Sequence, residues 1–131
     1  MPGDNVLTRR IADLSAEGFC CSEIVMKIML PDALRTDSLL LNAMSGLCYG
    51  MQNQYACGVL AAAACALSCL EDSKEKRNYL VKSLGSWFKD KFGSTECKEL
   101  SPDGAGRSVC AGLIEETIYE CFDLLEENEE D

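Results

Sequence analysis

The chain has 131 residues, 47% of them hydrophobic and 26% charged, which are values of a folded domain and exclude general disorder. That length allows one domain that buries roughly two-thirds of its unfolded surface. A net charge of −10 repels phosphate backbones and anionic headgroups, so neither nucleic acid nor a membrane surface is expected as a partner.

Apolar residues recur at helical spacing and almost nowhere alternate, so the pattern predicts about six helices and no sheet. The first covers 5–17, with Leu7, Ile11 and Leu14 inward and Gly18 as its stop. No apolar signal-peptide core precedes it. The second covers 20–30, where Cys21, Ile24, Val25, Ile28 and Met29 form a stripe that Pro31 ends. The third spans 37–47 with Thr36 as its cap, and Gly46 and Gly50 bracket the turn that follows. The fourth, 54–70, is apolar nearly all round, which predicts the buried centre of the domain; its uncharged run is too short to cross a bilayer. The fifth, 74–92, follows the cap Ser73, buries Leu80, Leu84, Trp87, Phe88 and Phe92, and stops at Gly93. The loop STECKELSPDGAGR has room for one short helical turn. The sixth, 109–127, carries Cys110, Leu113, Ile114, Thr117, Ile118, Cys121, Phe122 and Leu125 on one stripe. The expectation is an all-α fold. Residues 1–131 form a single-domain bundle around a central buried Ala/Cys-rich helix, and 126–131 (EENEED) form a frayed acidic tail.

The absence of histidine removes the Ser-His-Asp triad, the Cys-His nucleophile pair and the Cys₂His₂ zinc site. No CxxC, GxGxxG or GxxxxGK[ST] occurs either. Cysteine is the chemically loaded residue type that remains. There are nine, an odd count that argues against a complete disulfide framework and fits a cytoplasmic location, where thiols stay reduced.

Cys65 and Cys69, four apart in the alanine-rich helix, and Cys121 in the last stripe read as small core hydrophobes. Cys20 lies off the apolar stripe that Cys21 joins, and Cys48 sits in the glycine-bracketed turn. Cys21, Cys57, Cys97 and Cys110 differ from these, because each falls at the start of a helical segment. Helix N-termini carry partial positive charge and free N–H donors, which favour thiolate, the form that ligates metal and attacks disulfides. Four such positions suggest one converging site.

The order of these motifs carries a resemblance. Gly18-Phe19-Cys20-Cys21, the CGVLAA run from Cys57, Phe92-Gly93-Ser94-Thr95-Glu96-Cys97 with its following KEL, and a final Cys110 resemble the C_GCAxxG_C_C family over residues 18–121. These are small helical, redox-active proteins with four characteristic cysteines, which by motif position are Cys21, Cys57, Cys97 and Cys110 here. The central motif departs at Val59, in place of alanine, and at Ala62, in place of the closing glycine.

Two redox functions and one bland alternative follow. Cys21, Cys57, Cys97 and Cys110 could ligate a metal centre for electron transfer. Iron–sulfur ranks above zinc, although all four ligands are isolated in sequence. Alternatively, two of the four cycle between dithiol and disulfide with no cofactor, Cys20 and Cys48 serving as auxiliary thiols. The third reading is a non-catalytic interaction module whose cysteines only pack. The expected partner is a redox protein with a basic surface, and a homodimer is compatible with the apolar content. Whether the chain is an enzyme stays open.

Overall fold

The computed structural model describes residues 5–32, 36–100 and 107–130, with side chains over 110–128 in the last segment. Helix α1 (Val6–Ala16) begins where the Asn5 side chain accepts the Thr8 N–H at 2.9 Å. Helix α2 (Cys21–Met29) starts after Cys20, whose own N–H is taken by the Glu23 carboxylate at 2.9 Å, and ends as Leu30 turns extended ahead of Pro31. Helix α3 (Ser38–Ser45) is capped by Asp37, which accepts the Leu40 N–H at 2.9 Å; Thr36, the expected cap, instead donates its hydroxyl to the Asp32 carbonyl.

The chain then departs from expectation. The fourth helix, expected from residue 54, does not begin there. Tyr49, Gly50, Met51, Gln52 and Gln54 all take positive φ, between 55° and 60°, in a left-handed turn closed by the Tyr55 N–H on the Gly50 carbonyl. Helix α4 (Gly58–Leu70) starts later, after Cys57. Helix α5 (Lys74–Phe92) is capped by Ser73 and stopped by Gly93 at φ 82°. A single turn, α6 (Cys97–Leu100), occupies the following loop, and α7 (Arg107–Glu130) includes residues 126–130 of the segment read above as a tail. Among the described residues there is no strand, and one isolated antiparallel bridge joins Ala56 to Glu96.

Helix α4 packs against α2, α5 and α7. Its Val59, Ala62, Ala63, Ala66 and Leu67 are fully buried, against Val25 and Met26 of α2, Leu80, Leu84 and Phe88 of α5, and Ile118 of α7 in the same cluster. Alanine at these positions keeps the helix close to its neighbours, where dispersion contacts accumulate. The opposite side of α4 is open: Cys65 is half-buried and Cys69 exposed, which corrects their reading as core residues. On α7 the stripe shifts as well, with Phe122 44% exposed and Leu124 buried in its stead. Helix α1 is fastened to α7 by polar contacts, Asn5 to the Tyr119 hydroxyl and the Thr8 hydroxyl to the Glu115 carboxylate.

Candidate functional site

Four segments each deliver one thiol. Cys21 is the first residue of α2, Cys57 caps α4, and Cys97 opens α6. Cys110 lies a turn inside α7, not at its start, since that helix already begins at Arg107. The Ala56–Glu96 bridge links two of them. The Cys57 N–H donates to the Thr95 carbonyl at 2.8 Å, and the Cys97 N–H to the Tyr55 carbonyl at 2.7 Å. This pairing ties the start of α4 to that of α6, segments about forty residues apart.

Two glycines permit the approach. A Cβ on Gly58 would meet the Leu47 carbonyl oxygen at 2.6 Å and the Cys21 sulfur at 3.1 Å. A Cβ on Gly50 would meet Tyr55 backbone at 2.4 Å and the Cys97 Cβ at 3.0 Å. Both positions therefore bring bare backbone against a cysteine of the set.

The four thiols sense one another. Cys21 acts electrostatically on Cys57, Cys97 and Cys110, and Cys110 is also coupled to Cys57 and Cys97. Burial pushes the Cys57 thiol up from the ordinary 9.0 to about 11; the amides of Leu60 and Val59 oppose the rise, and the Cys21 and Cys110 thiolates add to it. Cys110 also reaches about 11, through burial and then the charges of Cys21 and Cys97. Burial and the Cys21 charge raise Cys97. Cys21 rises through burial, against the amides of Tyr49, Ser22 and its own N–H, and the Glu23 charge adds to the rise. The direction corrects the sequence expectation. Helix-start amides do reach Cys21 and Cys57, but desolvation outweighs them, so these are protonated thiols and not low-pKa nucleophiles.

The two auxiliary cysteines pair with each other. Cys20 and Cys48 form a disulfide, with Cα atoms 5.9 Å apart and 28 residues between them in sequence. It adjoins the thiol set on both sides, through Cys21 and through Tyr49. The buried Ser22 hydroxyl donates to the Met44 carbonyl at 2.7 Å and lies 3.3 Å from each of the two sulfurs. The ligand atoms of Cys20, Glu23 and Cys48 lie within 4.8 Å of one another. Ser22, Tyr49, Gly58 and the Cys20–Cys48 pairing were not found by sequence reasoning; the CC dipeptide beside a helix start was the available signal.

The remaining cysteines stand apart. Cys121 is fully buried and pushed up to about 12 by that burial, as a core thiol should be. Cys65 and Cys69 line an apolar groove of about 710 Å³ with Met26, Leu40, Met44 and Val81. Among the described residues no helix is long and apolar enough to cross a membrane.

An all-α domain with nine cysteines, Cys20 and Cys48 of them paired in a disulfide, defines a class of small helical cysteine-rich proteins. Residues 19–124 match the family model described as "Putative redox-active protein (C_GCAxxG_C_C)", and the chain belongs to that family. No curated protein and no solved structure gives a match.

Proposed function

We propose that Cys21, Cys57, Cys97 and Cys110 are the ligands of one soft-metal redox centre, an iron–sulfur cluster, and that the protein passes electrons between it and a protein partner in the cytoplasm. One observation carries this reading: burial raises all four thiols, and at Cys57, Cys97 and Cys110 the charge of one or two others of the set adds to the rise, as the Glu23 charge does at Cys21. Such a set resists ionisation on its own, and a cation bound among the sulfurs reverses the sign of that electrostatics. The donor set fits the group, since iron–sulfur clusters take four cysteine thiolates. Bound there, the cluster would supply one-electron chemistry.

The chain's own residues would hold and tune the centre. The amides of Tyr49 on Cys21, and of Val59 and Leu60 on Cys57, stabilise negative charge on sulfur and so favour the more reduced state. Gly50 and Gly58 keep side-chain atoms out of the space around Cys97 and Cys21. The net charge of −10 suits docking to a basic partner.

The test is purification of the full chain without oxygen, followed by iron, sulfide and zinc analysis and a visible spectrum. Coloured protein with stoichiometric iron and sulfide is expected, and Cys57→Ser or Cys97→Ser should abolish the colour. Zinc in stoichiometric amount would assign a colourless structural site instead. Metal-free protein with titratable thiols would support dithiol chemistry, the second reading, which the adjacent Cys20–Cys48 disulfide favours.

A further inference from the structure

The buried Ser22 hydroxyl has one proton, and it goes to the Met44 carbonyl at 2.7 Å. What it turns toward the Cys20 and Cys48 sulfurs, 3.3 Å away on either side, is therefore its lone pairs. A disulfide sulfur has no hydrogen to offer them. Two thiols do, so the hydrogen bonding around Ser22 is completed only when the pair is reduced. The two sulfurs also differ in access: Cys48 is buried and Cys20 half-buried.

We propose that Cys20 and Cys48 are a second redox site, a dithiol/disulfide couple that exchanges with a dithiol reductant through Cys20 and is biased toward its reduced form by Ser22. The reductant's thiolate attacks the Cys20 sulfur. The Cys20–Cys48 bond breaks, a mixed disulfide forms on Cys20, and Cys48 leaves as thiolate and takes a proton. The reductant's second thiol then attacks its own sulfur and releases Cys20 as a thiol. The reductant loses two electrons as its disulfide forms, and the pair gains them. Ser22 is a positioning residue here, accepting S–H from the thiols that result. This site does not depend on what the four-thiol set holds.

The experiment uses the full chain without oxygen, equilibrated in reduced and oxidised dithiothreitol at varied ratio, quenched by alkylation and mapped cysteine by cysteine by mass spectrometry. Cys20 and Cys48 should become alkylated together along a two-electron curve while the protein stays folded. Ser22→Ala should shift the midpoint toward more reducing buffer by about fivefold in the exchange equilibrium, or ~20 mV, the worth of about one net hydrogen bond. Cys48→Ser treated with glutathione disulfide should collect the mixed disulfide on Cys20, a readout that stands even if Ser22→Ala fails to fold. A pair that stays oxidised in excess dithiothreitol until the chain unfolds would overturn the proposal in favour of a structural disulfide. So would an unchanged midpoint in folded Ser22→Ala, or a reduced pair that resists alkylation because it has taken zinc with Glu23. The peptides bearing Cys21, Cys57, Cys97 and Cys110 report separately, so failure of the cluster reading is not confused with failure of this one.

Discussion

Gly58 leaves the Cys21 sulfur its space: a Cβ on Gly58 would stand 3.1 Å from that sulfur, and 2.6 Å from the Leu47 carbonyl oxygen. The second obstacle is backbone and cannot swing away. Helix propensity alone would make Gly58→Ala stabilising by roughly 0.5–1 kcal/mol. The steric conflict acts the other way, and overpacking of this kind costs about 1–3 kcal/mol. Gly58→Ala is therefore expected to lower stability in a denaturant titration and to speed alkylation of Cys21. A variant of equal or greater stability would mean that α4 is not pressed against Leu47.

The thiol pKa values give a pH dependence with a definite sign. In metal-free protein Cys57 and Cys110 ionise at about 11 when folded, against an ordinary 9.0. Below pH 9 the thiols are protonated in both states and contribute no difference. Above it the unfolded chain loses protons that the folded chain keeps, so stability falls as pH rises from about 9 to about 11. Thermal melts of the metal-free chain should show this loss, and Cys57→Ala with Cys110→Ala should flatten it. Alkylation of folded Cys57 and Cys110 should be slow at neutral pH. Fast labelling of Cys57 at pH 7 would mean that the amides of Leu60 and Val59 prevail over burial after all.

The helices were legible where local chemistry decides them. Ser73 and Gly93 bound α5 as read, because a hydroxyl cap and a left-handed glycine act within one turn. The start of α4 was misplaced because Tyr49, Met51, Gln52 and Gln54 take left-handed backbone without being glycine, a conformation that only surrounding contacts impose. Segment starts singled out Cys21, Cys57 and Cys97, but the direction of their pKa shifts depends on burial, which spacing does not encode. The Cys20–Cys48 partnership joins residues brought together by the packing of α2 against the turn after α3, and no sequence rule pairs them.

The Thr117 hydroxyl is fully buried in α7 and has no hydrogen-bond partner among the described residues. Its shape is nearly that of valine, so Thr117→Val exchanges an unsatisfied polar group for a methyl in the same space. Removing that desolvation penalty is expected to stabilise the protein by about 1 kcal/mol. Chemical denaturation checks it, with an unchanged or reduced midpoint counting against an unsatisfied hydroxyl.

Gly50 and Met51 are neighbours with nearly equal φ, 56° and 58°, yet substitutions at the two should act in opposite directions. At Gly50 a methyl would meet the Tyr55 nitrogen at 2.4 Å and the Cys97 Cβ at 3.0 Å, so Gly50→Ala combines left-handed strain with a clash against backbone. A loss of about 2–4 kcal/mol is expected, the sum of roughly 1 kcal/mol for the αL penalty and 1–3 kcal/mol for overpacking. Met51 is 48% exposed, and the left-handed turn strains its backbone. Met51→Gly removes that strain, part of the gain being offset by a freer unfolded chain, for a net stabilisation of up to about 1 kcal/mol. Denaturant midpoints of the two variants should therefore move apart on either side of the parent. If Met51→Gly is destabilised like an ordinary helix-interior glycine, the left-handed turn between α3 and α4 is absent in solution, and Gly50 is not what seats Cys97 beside it.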